Sequence, residues 1–342
     1  MDSVTQAALG ATVAGAIAGK RCNAKVLLAG AALGTLPDLD VVLDYGDAVS
    51  NTIKHRGFSH SLLLLPPFAL LISWLYCRFR PDAFWTFMRV FLLTVSVLLT
   101  HTLLDAMTTY GTQLLWPFAG YYELRNIFII DPLYTLPLLI AIGAALIFKQ
   151  RGGVWCQSVV LLSTAYLVWG YGAQQIVANR VEDNLLSQNL PNQHVLITPT
   201  PFNTLLWRVV VMDGEHYWEG LASLLDDEQH IDFVSRPLQS WPLSDKPETL
   251  RGLTAFSHNF LNYREENNAL IVSDLRLGMA NNLAFEFIYA QRGSDGEWQL
   301  LAAPLRHTSE RSLDQLGALW MRMKGDQSIN ADLEVMDLSL NR

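Results

Sequence analysis

Hydrophobic and polar positions divide this 342-residue chain into two unlike halves. In the first, apolar runs separated by short polar connections fall at about 4 to 19, 25 to 36, 62 to 77, 88 to 104, 132 to 148 and 154 to 173, and they predict six helices. The last two, "LYTLPLLIAIGAALIFK" and "VWCQSVVLLSTAYLVWGYG", have the length of bilayer-spanning segments. The first two are short, and "GATVAGAIAG" sets Gly10, Gly15 and Gly19 among alanines, which suits close helix packing inside a bundle. After "YGAQQIVANRVEDNLLSQNL", which reads as a helix continuing out of the membrane, the period changes to short β-rich runs. Strands are expected near 194 to 198, 205 to 212, 215 to 222, 230 to 235, 268 to 277, 283 to 291 and 297 to 304, followed by a helix in "SLDQLGALWMRMKG" capped by Ser312. The expected fold is an α-helical membrane bundle of about six helices over residues 1–180, then a soluble mixed α/β, mainly antiparallel-sheet domain over 181–342.

Composition supports that division, since 51% hydrophobic with 16% charged is too apolar for an ordinary soluble protein. Residues 1–180 carry 12 Lys and Arg against 9 Asp and Glu, whereas the remainder carries 12 against 23. No basic stripe suited to nucleic acid appears, so duplex binding is not expected. Lys20, Arg21 and Lys25, then Arg78, Arg80 and Arg89, then Lys149 and Arg151 occupy three connections on one side of a six-helix bundle. The positive-inside rule makes that side cytoplasmic, so the acidic half is expected to be extracytoplasmic on a multi-pass protein of the bacterial inner membrane. The N-terminus has its basic residues after the apolar run, unlike a signal peptide, and reads as a retained first helix. Cys22, Cys77 and Cys156 all fall at the cytoplasmic end, which leaves the outer domain without disulfides.

The polar residues of the first half gather on the opposite side. Asp2, Asp38, Asp40, Asp44, Asp47, Asp105, Glu123 and Asp131 are placed there, with His55, His60 and His101. Imidazole and carboxylate together form the donor set for zinc, manganese or iron. In "HTLLD", His101 and Asp105 stand four apart in an apolar helix, so both project from one face and can grip one ion or two neighbouring ions. In "PDLD", proline favours a break, and Asp38 and Asp40 offer one or both carboxylates. Arg56 and Lys54 flank the histidines and could hold an anionic substrate such as a phosphoester, or equally snorkel to lipid headgroups. Tyr110, Trp116 and Phe118 suit an interfacial aromatic belt or a lipid-substrate groove. Asp44 and Asp47 read as turn residues, and Ser59 as the cap of a helix starting at His60 or Ser61. In the acidic half, Glu215, His216 and Glu219 alternate as on one face of a solvated strand, and the histidines show no ligand spacing.

Taken in order, "MDSVTQAALG", "GTLPDLDVV", "HRGFSHSLL", "THTLLDAMTTYGTQLLWPF" and "FIIDPLYTLPLL" resemble the YdjM-type inner-membrane proteins, described as membrane-bound metal-dependent hydrolases. The likeness covers about residues 1 to 175 and implies Asp38, Asp40, His55, His60, His101 and Asp105 as candidate ligands; members carry "TH" where this chain has Thr5 and Gln6. "HTLLD" is also distantly similar to an HxxxD pair of zinc-dependent phospholipase C and P1-type nucleases, although a second such pair is missing. The resulting expectation is a hydrolase using one or two divalent ions, zinc first and manganese or iron next. Asp38, Asp40 or Asp105 would take a proton from water, and Arg56 would face an anionic or lipid-linked phosphoester drawn from the membrane. The alternatives are an ion or solute transporter using the same cluster, and a non-catalytic anchor whose C-terminal domain binds a protein partner.

Overall fold

The computed structural model describes residues 1–279, 282–308 and 315–336. They form two compact units. The first comprises Met1–Leu43, His55–Tyr171 and Pro201–Asn203; the second comprises Asp44–Lys54, Gly172–Thr200 and the described residues from Thr204 onward. In chain order the helices of the first half are α1 (Ser3–Ala18), α2 (Ala24–Thr35), α3 (Ala48–Lys54), α4 (Leu65–Phe79), α5 (Phe87–Ala106), α6 (Pro132–Ile147) and α7 (Gly152–Ser187). All except α3 and the latter part of α7 belong to the first unit.

Local chemistry starts these helices. Asp2, Asn23 and Asp131 each accept two backbone N–H groups at the N-termini of α1, α2 and α6, satisfying donors that have no partner within the helix. Glycine then sets the spacing of α1 and α2. A Cβ on Gly10 would lie 2.3 Å from the Gly30 carbonyl oxygen, and one on Gly34 would lie 2.5 Å from that of Gln6. Only hydrogen side chains permit this approach, which brings the end of α2 against α1 and α5. The core of the unit is built on Leu9, Ala14, Val97, Leu104 and Leu138. On α5 the buried positions Val90, Leu93, Val97, His101, Leu104 and Asp105 recur at helical spacing, so the stripe that packs the core also carries two polar residues inward.

Each of the six expected apolar stretches is helical. By length and composition, Phe87–Ala106 and Lys149–Ser187 can cross a bilayer, and a third span results if Ala48–His60 and Leu65–Phe79, bent by 58°, act as one. Helices α2 and α6 are apolar but shorter than a span, with 12 and 16 residues.

The second unit contains antiparallel sheets. One has the order β1 (Val195–Pro199), β2 (Leu206–Met212), β3 (His216–Ser223) and β4 (Phe233–Pro237). After α8 (Glu248–Phe256), β5 (Leu261–Glu266), β6 (Ala269–Asp274), β7 (Gly278–Met279), β8 (Asn282–Leu283), β9 (Glu286–Arg292) and β10 (Trp298–His307) follow, and a second sheet runs β10-β9-β6-β5. β7 pairs with β8, and α9 spans Leu316–Met323. Every residue of β2 is buried, because its alternate side chains serve two cores. Trp207, Val209 and Val211 meet Ala173, Val177, Val181 and Leu185, which repeat every four residues along α7. Leu196, Val210 and Met212 pack with Phe260 and Leu275.

Most of the expected strands are present within a few residues. The sequence reading did not anticipate α8 or β5. "LNYREE" is polar in keeping with an edge position: among the described residues β5 pairs with β6 alone. The expected solvated face at Glu219 is corrected: its carboxylate is buried on β3 between Arg208 and Arg236. Asp44 and Asp47 are turn residues, accepting from Gly46 N and from Val49 and Ser50 N respectively. Ser312, the expected cap, lies outside the described residues.

Candidate metal centre

The site lies within the first unit and draws on three separated segments. Pro37 opens a 3-10 turn, Pro37–Val42, directly after α2, its fixed φ and missing N–H suiting a first helical position; the turn carries Asp38 and Asp40. A second 3-10 turn, Phe58–His60, carries Ser59 and His60. His101 and Asp105 stand one turn apart near the end of α5.

Asp38, His60, His101 and Asp105 each offer one donor atom, and the four atoms lie within 4.8 Å of one another. His60 Nε2 is 3.0 Å from His101 Nε2, 3.1 Å from Asp105 Oδ2 and 3.4 Å from Asp38 Oδ1. His101 Nε2 is 3.5 Å from Asp105 Oδ2 and 3.6 Å from Asp38 Oδ1. A tetrahedral ion with bonds of ~2.0–2.1 Å requires donor separations of about 3.3 Å, so every separation that involves an imidazole, 3.0 to 3.6 Å, is already near coordination spacing, while the two carboxylates lie within 4.8 Å of each other. Three of the donors are sealed, and only Asp38, with its side chain 17% exposed, reaches the edge.

Hydrogen-bond bookkeeping gives the fit its physical basis. His101 Nδ1 lies 2.5 Å from the Gly34 carbonyl oxygen, which can only accept, so Nδ1 carries the hydrogen and Nε2 turns a lone pair into the cluster. Asp38 Oδ1 is buried and accepts no hydrogen bond. A lone pair and an unpaired carboxylate oxygen facing each other in a sealed site are costly, and a cation removes that cost. The donor types fit zinc, manganese or iron.

Asp105 is also held from outside the cluster. Its Oδ1 accepts from Gln6 Nε2 at 2.9 Å and from the Met1 α-amino group, and Arg56 Nε stands 3.1 Å from Oδ2. Arg56 is buried, has a left-handed backbone with φ of 63°, reaches Thr108 Oγ1 with Nη1 at 3.4 Å, and lies 4.8 Å above the Tyr110 ring. Its Nε makes no hydrogen bond of good geometry. A fixed positive charge therefore stands beside one carboxylate of the cluster, while among the described residues Asp38 pairs with the two imidazoles and with no Arg or Lys.

The other two residues expected as ligands, Asp40 and His55, are placed elsewhere. Asp40 accepts from His55 Nδ1 at 2.6 Å, from Ser59 Oγ at 2.6 Å and from Arg56 N at 3.0 Å. Burial pushes its carboxyl up, but the bonds from His55 and Ser59 outweigh this and hold its pKa below the ordinary carboxylate value. His55 packs edge-on to Tyr110. Ser59 is not the helix cap expected, because α4 begins only at Leu65 and the hydroxyl is engaged by Asp40 and His60. Sequence reasoning did not place Gln6, Gly34 or Thr108 at the site; a lone amide in the apolar run of α1 was the available signal for Gln6.

The family model of YdjM inner membrane proteins matches residues 1–177, a range that contains every donor of the cluster. The inner membrane protein YbcI of Escherichia coli K12 is 31% identical over 171 residues, covering 46% of this chain and 93% of YbcI. The uncharacterized protein YfhP of Bacillus subtilis 168 is 25% identical over 198 residues, covering 57% of this chain and 58% of YfhP. No solved structure matches the chain. These matches do not extend to the zinc-dependent phospholipases or P1-type nucleases.

Proposed function

Since this chain belongs to the YdjM inner membrane protein family, we propose that it is a membrane-bound metal-dependent hydrolase acting on a phosphoester of an amphipathic or lipid-linked substrate. The observation that carries the proposal is the convergence of Asp38, His60, His101 and Asp105 in a lightly charged, apolar unit. In this reading His60, His101 and Asp105 hold a divalent ion, zinc being the first choice, as two imidazoles and a carboxylate do in hydrolytic zinc sites. When bound, the ion supplies Lewis acidity toward water and the scissile group. Asp38, the donor at the exposed edge, takes the proton from the attacking water, and Arg56, whose guanidinium stands beside Asp105, offers its positive charge to an anionic oxygen of the substrate. Asp40 orders the loop that carries both Arg56 and His60. The proposal includes six membrane-embedded helices, residues 1–180, with the site at the outer face. The acidic domain, residues 181–342, is extracytoplasmic, where it recruits substrate or a protein partner.

A second reading is favoured by one observation. Four protein donors gathered within 4.8 Å can complete a shell, as in structural zinc sites, so the ion would brace a non-catalytic anchor for the acidic domain. The two readings separate on Asp38→Asn in detergent-purified full chain, assayed on a chromogenic phosphodiester and on a phospholipid. The hydrolase reading expects metal to be kept and turnover to fall at least ~100-fold, the upper range of general-base contributions. Phosphodiester cleavage absent from the metal-loaded wild type would leave the anchor.

A further inference from the structure

The two imidazoles of the cluster are oriented by different means. For His101 a backbone carbonyl settles which nitrogen carries the hydrogen. For His60 the neighbour of Nδ1 is a hydroxyl, Ser59 Oγ, at 2.9 Å. A hydroxyl can donate or accept, so by itself it would leave His60 free to present either a lone pair or an N–H to the cluster.

We infer that Ser59 is the positioning residue that makes His60 a ligand, acting through a hydrogen-bond chain that runs from Asp40 to Ser59 to His60. The Asp40 carboxylate only accepts, and its Oδ2 lies 2.6 Å from Ser59 Oγ, so the single hydroxyl hydrogen of Ser59 is committed to Asp40. Ser59 Oγ can then only accept from His60 Nδ1, which must carry the ring hydrogen. In the neutral ring, the form that binds a metal, the lone pair is left on Nε2, the atom that faces His101 Nε2 at 3.0 Å and Asp105 Oδ2 at 3.1 Å. Asp40 is fixed in turn by two further donors, His55 Nδ1 and the Arg56 backbone N–H. Asp40, His55 and Ser59 therefore serve the ion without touching it. A hydrogen-bonded outer partner of this kind sets tautomer, ring orientation and ligand basicity. The inference rests on the reading of the cluster as a metal site.

The test uses detergent-purified full-length chain and zinc alone, with affinity from competition against a chromophoric chelator and the His60 tautomer from nitrogen chemical shifts of histidine-labelled, zinc-free protein. Wild type is expected to show His60 protonated at Nδ1. Ser59→Ala is expected to lose that signature and to weaken zinc binding about 10–100-fold, while Ser59→Thr, which keeps the hydroxyl, restores both. Asp40→Asn, which can present an N–H in place of an acceptor, is expected to resemble Ser59→Ala. Wild-type affinity in Ser59→Ala while His101→Ala is defective would overturn the inference alone, as would a Ser59→Ala chain that melts lower with the tautomer unchanged. Failure of wild type to bind zinc, or unchanged binding in His101→Ala, would remove the metal reading and this inference with it.

Discussion

Each unit buries polar residues, and two such clusters, one from each unit, are completed differently. In the second unit Arg208 donates to Glu219 at 2.5 Å and to the Leu275 carbonyl at 2.6 Å, and Arg236 donates to Glu219 at 3.2 Å and to Asp332 at 2.6 Å. Each carboxylate there has a guanidinium against it, so the cluster closes with protein groups alone. In the first unit two carboxylates face two imidazoles, Arg56 stands beside Asp105 only, and Asp38 Oδ1 accepts nothing. The first arrangement is a finished ion-pair network; in the second the positive charge of Arg56 and of the Met1 amino group falls on Asp105, and Asp38 faces only imidazoles. Burial of charge is thus no sign of a functional site by itself; what marks the first cluster is an unfilled carboxylate oxygen that faces two imidazoles and no guanidinium, whereas the unfilled Glu286 Oε2 of the second unit belongs to a carboxylate already paired with Arg264.

Four substitutions can break or sharpen this contrast. The largest effect belongs to His101→Ala, which removes one donor of four from the cluster: the purified chain is expected to lose stoichiometric zinc, read by elemental analysis, with the melting of the second unit unchanged. Glu219→Ala should do the reverse. It leaves Arg208 buried without its partner and is expected to cost about 3–5 kcal/mol in denaturant unfolding of that unit while zinc content is retained. Gly10→Ala lies between them, since its methyl group would press on the Gly30 carbonyl. A loss of about 1–3 kcal/mol is expected, together with weaker zinc binding as Gly34 and Gln6 shift with the helices. Asp44→Ala is the control: it removes an exposed turn contact to Gly46 and should change stability by no more than ~1 kcal/mol, with zinc binding as in wild type. Equal zinc loss in Glu219→Ala and His101→Ala would erase the distinction between the two clusters.

What was legible in the sequence follows the same physics. The spacing of His101 and Asp105 was informative because an α-helix fixes direction from number alone, and both do enter the cluster. Asp38 and Asp40 could not be separated that way. They lie on a 3-10 turn, where positions two apart point about 120° from one another, so one turns to the ion cluster and the other to His55 and Ser59. His55 and His60 were equally inseparable, because Arg56 between them adopts a left-handed backbone that arginine seldom takes, and its N–H bonds to Asp40 only through a long-range contact. Gln6 is a lone amide in an apolar run, a signal that it needs a polar partner, but nothing in its own segment says that the partner is Asp105. In the second unit β2 was visible from its run of apolar residues, while β5, which alternates polar side chains along a sheet edge, was not.

The central claim is that the cluster of the first unit holds a divalent cation. Anomalous diffraction at the zinc edge from crystals of the full-length chain tests it most directly. A peak is expected between His60 Nε2, His101 Nε2, Asp38 and Asp105, and it should disappear in His101→Ala. Zinc-soaked wild type with no anomalous density there, and those four side chains hydrogen-bonded only to each other and to water, would contradict it.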